Sequence, residues 1–374
     1  MKNSIKKILI AHSSNDNYGS SKVLISIVNI LIKNGFDIYL ILPHNGPLSD
    51  NEIIKKAKIK IINLGVFRKK YFSFFGLINR LYYIIKSSFH IKNILKKDKI
   101  DLVYTNTSTI ISPAIAAKFL GLRSIYHIHE IPSSNYIYSR FVVNFLNYFS
   151  DNVIAVSNAV HEFWLNRGVR GSKINVIYNG FKYSPKPKKK RPKNKIIFTS
   201  ISRIIPYKGH SLMIDIFEKL YKKNSTLYLK IIGDTLPEYK KYLSDLKFKV
   251  EKKGLSNNIS FLGFQDDVMK MLSKSSFFIH LPTSPDPLPT VIFEAIKSKT
   301  PIITNNLGGA IEILNNGNFG LIIENNLIDD SVEKILNFIN NKKNQNDNVD
   351  NAYDYVCKNY SYEKFRKQIL NLFE

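Results

Sequence analysis

Apolar and polar positions follow two rhythms along this chain. The run Ile8-Leu9-Ile10-Ala11 is short and unbroken, residues 12–21 are polar, and Val23, Leu24, Ile27, Val28, Ile30 and Leu31 then fall at helical spacing. This predicts a buried strand, a loop and a helix packed on one face. Asn34-Gly35 closes the helix, and residues 38–42 read as a second buried strand stopped by Pro43. Leu102-Val103-Tyr104, residues 124–127 and residues 153–156 continue the alternation, which predicts a parallel sheet with crossover helices.

The rhythm breaks at residues 183–194, where three prolines and a run of lysines exclude a buried element and predict a linker. It then restarts, with strands expected at 196–201, 227–232, 259–262, 277–281 and 302–303, and helices at 212–220 and 290–298. A chain of 374 residues exceeds a single ordinary core. The pattern therefore predicts an α/β protein of two Rossmann-like, doubly wound domains, 1–182 and 195–360, facing across a cleft. Residues 361–374 are expected to pack back on the first domain. In such sheets ligands sit beyond the carboxyl ends of the strands.

Composition narrows the function. The chain is 44% hydrophobic and 22% charged, within the range of globular proteins. No run reaches a membrane span, and residues 8–11 are too short for a secretory core, so a cytoplasmic location is expected. The single cysteine, Cys357, suits a reducing compartment. A net charge of +26 implies attraction to nucleic acid, an acidic membrane surface or a phosphorylated ligand, unless it reflects only a Lys-, Asn- and Ile-rich composition. Nucleic acid lacks support: the lysines are dispersed, with no aromatic RNA-binding signature, zinc spacing or recognition-helix pattern.

Four loops in the second half place polar groups at predicted strand ends. Arg203 and Lys208 follow a strand and precede a helix, where an anion gains from both charges and from the helix N-terminus. Asp286 lies in a loop stiffened by Pro285, Pro287 and Pro289, and Glu294 lies on the helix that follows. Carboxylates accept from sugar hydroxyls, and backbone N–H groups at Leu288, Thr290 and Val291 suit phosphate oxygens. Gly308-Gly309 permits close backbone approach or positive φ, and Gly233-Asp234 follows another strand.

Taken in order, Ser202-Arg203-x4-Lys208-Gly209, Ile232-Gly233-Asp234, Phe261-Leu262-Gly263, Asp286-x7-Glu294-Ala295, Pro301-Ile302-Ile303 and Gly308-Gly309-x2-Glu312 resemble the retaining GT-B glycosyltransferases of the group 1, or family 4, type. Ser157-Asn158-Ala159-Val160 and Val176-Ile177-Tyr178-Asn179-Gly180 agree, so the resemblance covers nearly the whole chain. It implies transfer of a sugar from a UDP- or GDP-linked donor, with no cofactor and no metal. Arg203 and Lys208 would stabilise the leaving diphosphate, Asp286 would hold the sugar hydroxyls and Glu294 the ribose. Gly233, Asp234, Phe264, Leu288, Pro289, Thr290 and Val291 would complete the donor site. His129 would be the histidine beside the donor sugar, with His127 the near alternative. Gly19 and Ser20 would face the phosphates or the acceptor.

Two positions depart from the family pattern: Asp286 stands where Glu is usual, and Gly19-Ser20 replaces paired glycines. Because glycosidic cleavage builds charge on the diphosphate, electrostatic stabilisation of the leaving group should dominate. No Asp-x-Asp pair of the metal-dependent transferases is present. The resemblance points to front-face attack rather than the covalent intermediate of retaining glycosidases. The acceptor would be a glycan or an undecaprenyl-linked sugar, in bacterial surface polysaccharide synthesis. A nucleotide-sugar epimerase on the same fold is the enzymatic rival. Residues 67–86 mix basic and aromatic side chains, which fits either an anionic membrane surface on the inner face of the cell or a helix with aromatics packed on the sheet and lysines outward.

Overall fold

The computed structural model describes residues 5–67, 71, 73–132, 136–182 and 195–374. The expected linker at 183–194 lies outside the described residues, as do Arg68, Lys69, Lys70 and Phe72 of the basic-aromatic segment. Contacts divide the chain into two units, Met1–Gly180 together with Tyr362–Glu374, and Phe181–Ser361.

The N-terminal unit is built on β1 (Lys7–Ala11), β2 (Asp37–Leu42), β3 (Lys58–Ile61), β4 (Leu102–Thr105), β5 (Arg123–Ile128), β6 (Asn152–Ala155) and β7 (Ile174–Val176). They form one sheet in the order β3-β2-β1-β4-β5-β6-β7, and every pairing is parallel. Ile8 and Ile10 pack with Leu24 and Val28 of α1 (Gly19–Lys33). Leu9 and Ala11 pack on the other face with Ile91 and Ile94 of α2 (Phe74–Lys97) and Ala116 of α3 (Ser112–Phe119). Burial on both faces is the reason that β1 reads as an unbroken apolar run. Helix α1 ends where predicted: Gly35 takes φ +83°, its N–H bonds Ile32 O, and Phe36 N–H bonds Leu31 O, a Schellman closure.

Helix α13 (Tyr362–Leu370) returns to this unit. Phe365, Ile369 and Phe373 are buried in the cluster of Ile8, Leu24 and Tyr104, and the Phe373 ring lies 5.7 Å from Phe36 and 6.1 Å from Tyr104.

The second unit holds β8 (Ile196–Ile201), β9 (Leu227–Ile232), β10 (Ile259–Phe261), β11 (Phe277–His280), β12 (Ile302–Asn305) and β13 (Leu321–Ile323). Its sheet runs β10-β9-β8-β11-β12-β13, again all parallel. Helix α6 (His210–Lys223) and α11 (Ile328–Asn340) bury Ile214, Phe217 and Ile335 against Phe198, Leu229 and Phe277.

Both sheets are doubly wound. Strand order reverses between β1 and β4 in one and between β8 and β11 in the other, and crevices at such switch points are where ligands bind. Strands β3 and β7 carry no clear apolar signal: β3 reads Lys-Ile-Lys-Ile and β7 Ile-Asn-Val, each on a sheet edge, while β13, Leu-Ile-Ile, is apolar but has only three residues and was not expected.

Deleting methylenes from a fully buried site costs transfer energy and leaves a cavity. Ile369→Ala, at a residue that is 0% exposed, should therefore lower stability by about 2–5 kcal/mol. The readout is a lower urea midpoint for the N-terminal unit; an unchanged midpoint would detach the C-terminal helix from that core.

Candidate functional site

In the second unit the loops after β8 and β11, the two strands of the switch point, carry Arg203, Lys208 and Asp286. Lys208 ends a short turn over Pro206–Lys208, and Gly209 then takes φ +74° and opens α6. Only glycine fits there, because a Cβ would stand 1.7 Å from Leu281 O. That contact ties the β8 loop to the β11 loop, and Thr283 N–H donating to Tyr207 O at 3.0 Å ties it again.

The consequence is an ion pair. Lys208 Nζ donates to Asp286 Oδ2, with both side chains largely buried. His280 Nε2 lies 3.2 Å from the same oxygen, without the alignment of a hydrogen bond, and has no other partner. Burial alone would raise the Asp286 carboxyl, yet the Lys208 ammonium beside it holds it well below the usual carboxylate range. His280 is pushed down by burial, against the pull of Asp286. His210, whose Nε2 pairs with Ser202 Oγ at 3.1 Å, is lowered to about 4 by burial and by its neighbours His280 and Lys208. The switch point thus holds one fixed zwitterionic pair beside two neutral imidazoles.

Gly308 and Gly309 approach this loop rather than standing open. Gly308 takes φ +80° with its Cβ position 2.1 Å from Asp286 O, and Gly309 N–H donates to that oxygen at 2.8 Å. The glycine pair seats the backbone of Asp286 and Pro287. Gly233, at φ +138°, lets the β9 loop touch Ser202 O and donates to Gly263 O at 2.8 Å. Asp234 and Phe264 are exposed beside it. Helix α9 (Thr290–Lys297) begins without a side-chain cap, so its first N–H groups at Thr290 and Val291 open at the end of the same loop. Leu288 and Pro289 are buried under it, and Glu294 is half-buried on its first turns.

The N-terminal unit places a different set at its own switch point. His12, just after β1, is fully buried. Its Nε2 meets Ser21 Oγ at 3.2 Å, and Ser21 donates to Asp16 Oδ1 at 2.8 Å. Its Nδ1 meets Asn106 Nδ2 at 3.2 Å, while Asn106 Oδ1 meets His129 Nε2 at 2.9 Å. Because an amide nitrogen only donates and its oxygen only accepts, one direction satisfies this chain: His129 Nε2–H gives to Asn106, Asn106 gives to His12, and His12 gives to Ser21. His129 then keeps its Nδ1 as an acceptor. Burial and the imidazoles of His127 and His12 hold its pKa well below the ordinary value.

His127 is sealed, with 0% exposure and Nδ1 2.7 Å from Tyr104 Oη, so of the two histidines His129 is the one that reaches the surface. Glu130 pins the chain from the other side, accepting from Thr107 Oγ1, from Ser108 N–H and Oγ–H, and from His129 N–H. Gly19 and Ser20 open α1, and Ser21 points inward to His12. Asn106, Glu130, His12 and His280 escape sequence reading, since each stands among apolar or unremarkable neighbours and gains meaning only from strands distant in sequence.

Known proteins share this fold. "Glycosyltransferase Family 4" matches residues 18–184 and "Glycosyl transferases group 1" matches residues 184–355. The chain is 26% identical to the UDP-Gal:alpha-D-GlcNAc-diphosphoundecaprenol alpha-1,3-galactosyltransferase of Escherichia coli, over 95% of this chain and 96% of that protein. HepE of Anabaena, solved in complex with UDP and glucose, shares the fold at a TM-score of 0.82 with 22% identity, over 98% and 99% of the two chains. WaaG, a glycosyltransferase involved in lipopolysaccharide biosynthesis, superposes at 0.71 with 13% identity, over 97% and 98%.

Two outcomes follow. His12 and His127 have folded pKa values of about 4 and about 3, below the unfolded 6.5, so the unfolded chain binds more protons between those limits. Stability is full above pH 6.5 and should fall as the pH drops toward 4, by about 1.4 kcal/mol per pH unit for each such histidine. Urea midpoints across that range measure it, and a flat profile would refute the neutral network. Separately, Gly308→Ala should cost more than about 1 kcal/mol, exceeding what positive φ alone imposes. Gly254→Ala, at φ +67° with nothing within 4 Å, is the control for strain without collision in the same melting assay.

Proposed function

The chain belongs to the group 1, family 4 glycosyltransferases of GT-B fold, and from that premise we propose that it moves a hexosyl group from a nucleoside diphosphate sugar to a glycan or undecaprenyl-linked acceptor. The observation that carries this reading is the Lys208–Asp286 pair at the switch point of the second sheet. A cation held by a carboxylate, beside Arg203 and the open amides of α9, suits a diphosphate with a sugar attached.

In the proposed reaction the bond from the anomeric carbon to the β-phosphate oxygen breaks, and its electron pair stays on the diphosphate. The acceptor oxygen bonds to the same face of that carbon, so configuration is retained, and its proton passes to the departing diphosphate. Arg203 and Lys208 stabilise the growing charge, without a metal. Lys208 has three protons to give, so it keeps Asp286 while donating to phosphate. Asp286 orders the sugar hydroxyls, Glu294 the ribose, and Gly233, Asp234 and Phe264 border the nucleoside. His129 serves as a neutral imidazole toward the donor sugar, and Gly19 and Ser20 serve the phosphates.

The donor is taken to be UDP- or GDP-linked, with UDP favoured by the names of the Escherichia coli and Anabaena proteins. The lipid-linked acceptor is favoured by the diphosphoundecaprenol in the former name, and a role in bacterial surface polysaccharide synthesis by the lipopolysaccharide role of WaaG. We propose that the reaction runs on the cytoplasmic side, at the inner face of the cell membrane. No helix among the described residues is long and apolar enough to cross a membrane.

Thermal stabilisation by a panel of nucleoside diphosphates and their sugars tests this. A bound donor at 100 times its Kd should add about 2.7 kcal/mol, and silence across the panel would defeat the reading. Arg203→Ala and Glu294→Ala should each abolish transfer while circular dichroism stays unchanged; full activity in either would remove that residue from the site.

A further inference from the structure

Three helices cover one face of the N-terminal sheet, and each carries large apolar side chains away from it. On α2, Phe75, Ile78, Leu81, Tyr82, Ile85 and Phe89 are exposed, at the three- and four-residue spacing of a single helix face. The face turned inward holds Ile84, Ile91, Ile94 and Leu95 together with Arg80, Ser87 and Ser88. An ordinary surface helix keeps its outer face polar. On α4 (Tyr136–Phe149), Ile137, Phe141 and Tyr148 repeat the pattern at spacings of four and seven. Phe75 and Ile137 are each 81% exposed.

The three outer faces form one surface. Lys92 of α2 lies over the Phe119 ring of α3 at 5.4 Å, and Lys118 of α3 lies over the Tyr148 ring of α4 at 5.0 Å. Phe67, just before α2, packs edge-on against Phe141 at 5.8 Å. Exposed apolar patches this broad mark interaction sites.

Charge identifies the occupant. The three helices contain no Asp and no Glu, while Lys86, Lys92, Lys96, Lys97, Lys118 and Arg140 stand on or around the apolar surface. A second copy docked face to face would set these cations against themselves with no carboxylate to answer them. Nucleic acid would use the cations and the rings but leave Ile78, Leu81, Ile85 and Ile137 in water. A bilayer with anionic headgroups meets both needs: aliphatic and aromatic side chains enter the acyl boundary, while the lysines reach up to the headgroups.

We propose that the joined outer face of α2, α3 and α4 is a docking surface for an anionic lipid bilayer, holding the enzyme at the membrane without a spanning segment. The purpose of this surface rests on the membrane-borne acceptor proposed above, although its structural grounds do not.

The full-length protein, sedimented with vesicles of phosphatidylcholine alone or mixed with phosphatidylglycerol, tests it. Binding should require the anionic lipid and weaken in high salt. The exposed triple variant Phe75→Ser, Leu81→Ser, Ile137→Ser and the triple variant Lys86→Gln, Lys118→Gln, Arg140→Gln should each weaken it at least about tenfold. Neither variant touches a residue placed in the donor site, so nucleotide-induced thermal stabilisation should be unchanged in both. Absence of binding to anionic vesicles at low salt would overturn the proposal. So would full binding by the apolar triple, or self-association in centrifugation that this triple abolishes. A silent nucleotide panel alongside intact vesicle binding would instead strike only the transferase reading.

Discussion

The second unit's site is organised around one buried ion pair. Removing an ammonium and a carboxylate from water is costly, and their attraction offsets that cost only when geometry is fixed and the remaining groups are satisfied. Here the fixing is done by backbone. Gly209 lets the β8 loop lie on Leu281 O, and Gly308 and Gly309 seat the carbonyls of Asp286 and Pro287. A side chain at any of these glycines would part the loops and with them Lys208 from Asp286. The two buried imidazoles follow from the same pair, since protonating His210 beside Lys208 would add charge where burial already opposes it. On the proposed reading, the leaving diphosphate meets a cation already immobilised, with little reorganisation left for the moment of bond breaking.

The N-terminal unit solves the corresponding problem with a hydrogen-bonded chain rather than an ion pair. At its switch point Asn106 and His12, anchored through Ser21 on the Asp16 carboxylate, set the tautomer of His129. Asn106 is the directional element: its two ends differ, so the imidazole on each side has its proton placed. Glu130 gathers the loop after β4 by two residues, Thr107 and Ser108, and ties it to His129 N–H after β5, which holds Asn106 where both histidines reach it. The two units thus share a topology and differ in electrostatics, one presenting a fixed zwitterion and the other a fixed neutral acceptor.

Most of the fold was legible because its strands are buried on both faces. Strands such as Ile196–Ile201 and Leu227–Ile232 stand out at their observed bounds, and Asn34-Gly35 announced a helix end through the φ that only glycine holds cheaply. The edge strand Lys58–Ile61 stayed hidden because an exposed edge needs no apolar run. The site was legible as a set of loops but not as a set of partnerships. Lys208 and Asp286 were read as serving different parts of a donor, whereas 78 residues of sequence separate two groups that the switch point sets in contact. The glycine pair was read as permitting close backbone approach or positive φ, and Gly308 does both, with φ +80° against the backbone of Asp286; what the sequence did not show is which strand-end loop it approaches.

The basic-aromatic segment shows why pattern alone could not orient a helix. Residues 74–89 have two plausible apolar faces, and sequence offers no means to choose the one that meets the sheet. Packing chose the face with Ile84 and Ile91, at the expense of burying Arg80, and Arg80 answers its burial by stacking 4.0 Å above the Tyr71 ring. The aromatic face was left outward as a result. Compositional bias does not account for what surrounds it: at the overall frequency of 29 carboxylates in 374 residues, helices totalling 46 residues would hold three or four, and α2, α3 and α4 hold none. A lysine-rich composition raises the cations everywhere, but it does not clear the anions from one face. That clearing is a property of the surface, and it is what a negatively charged partner would require.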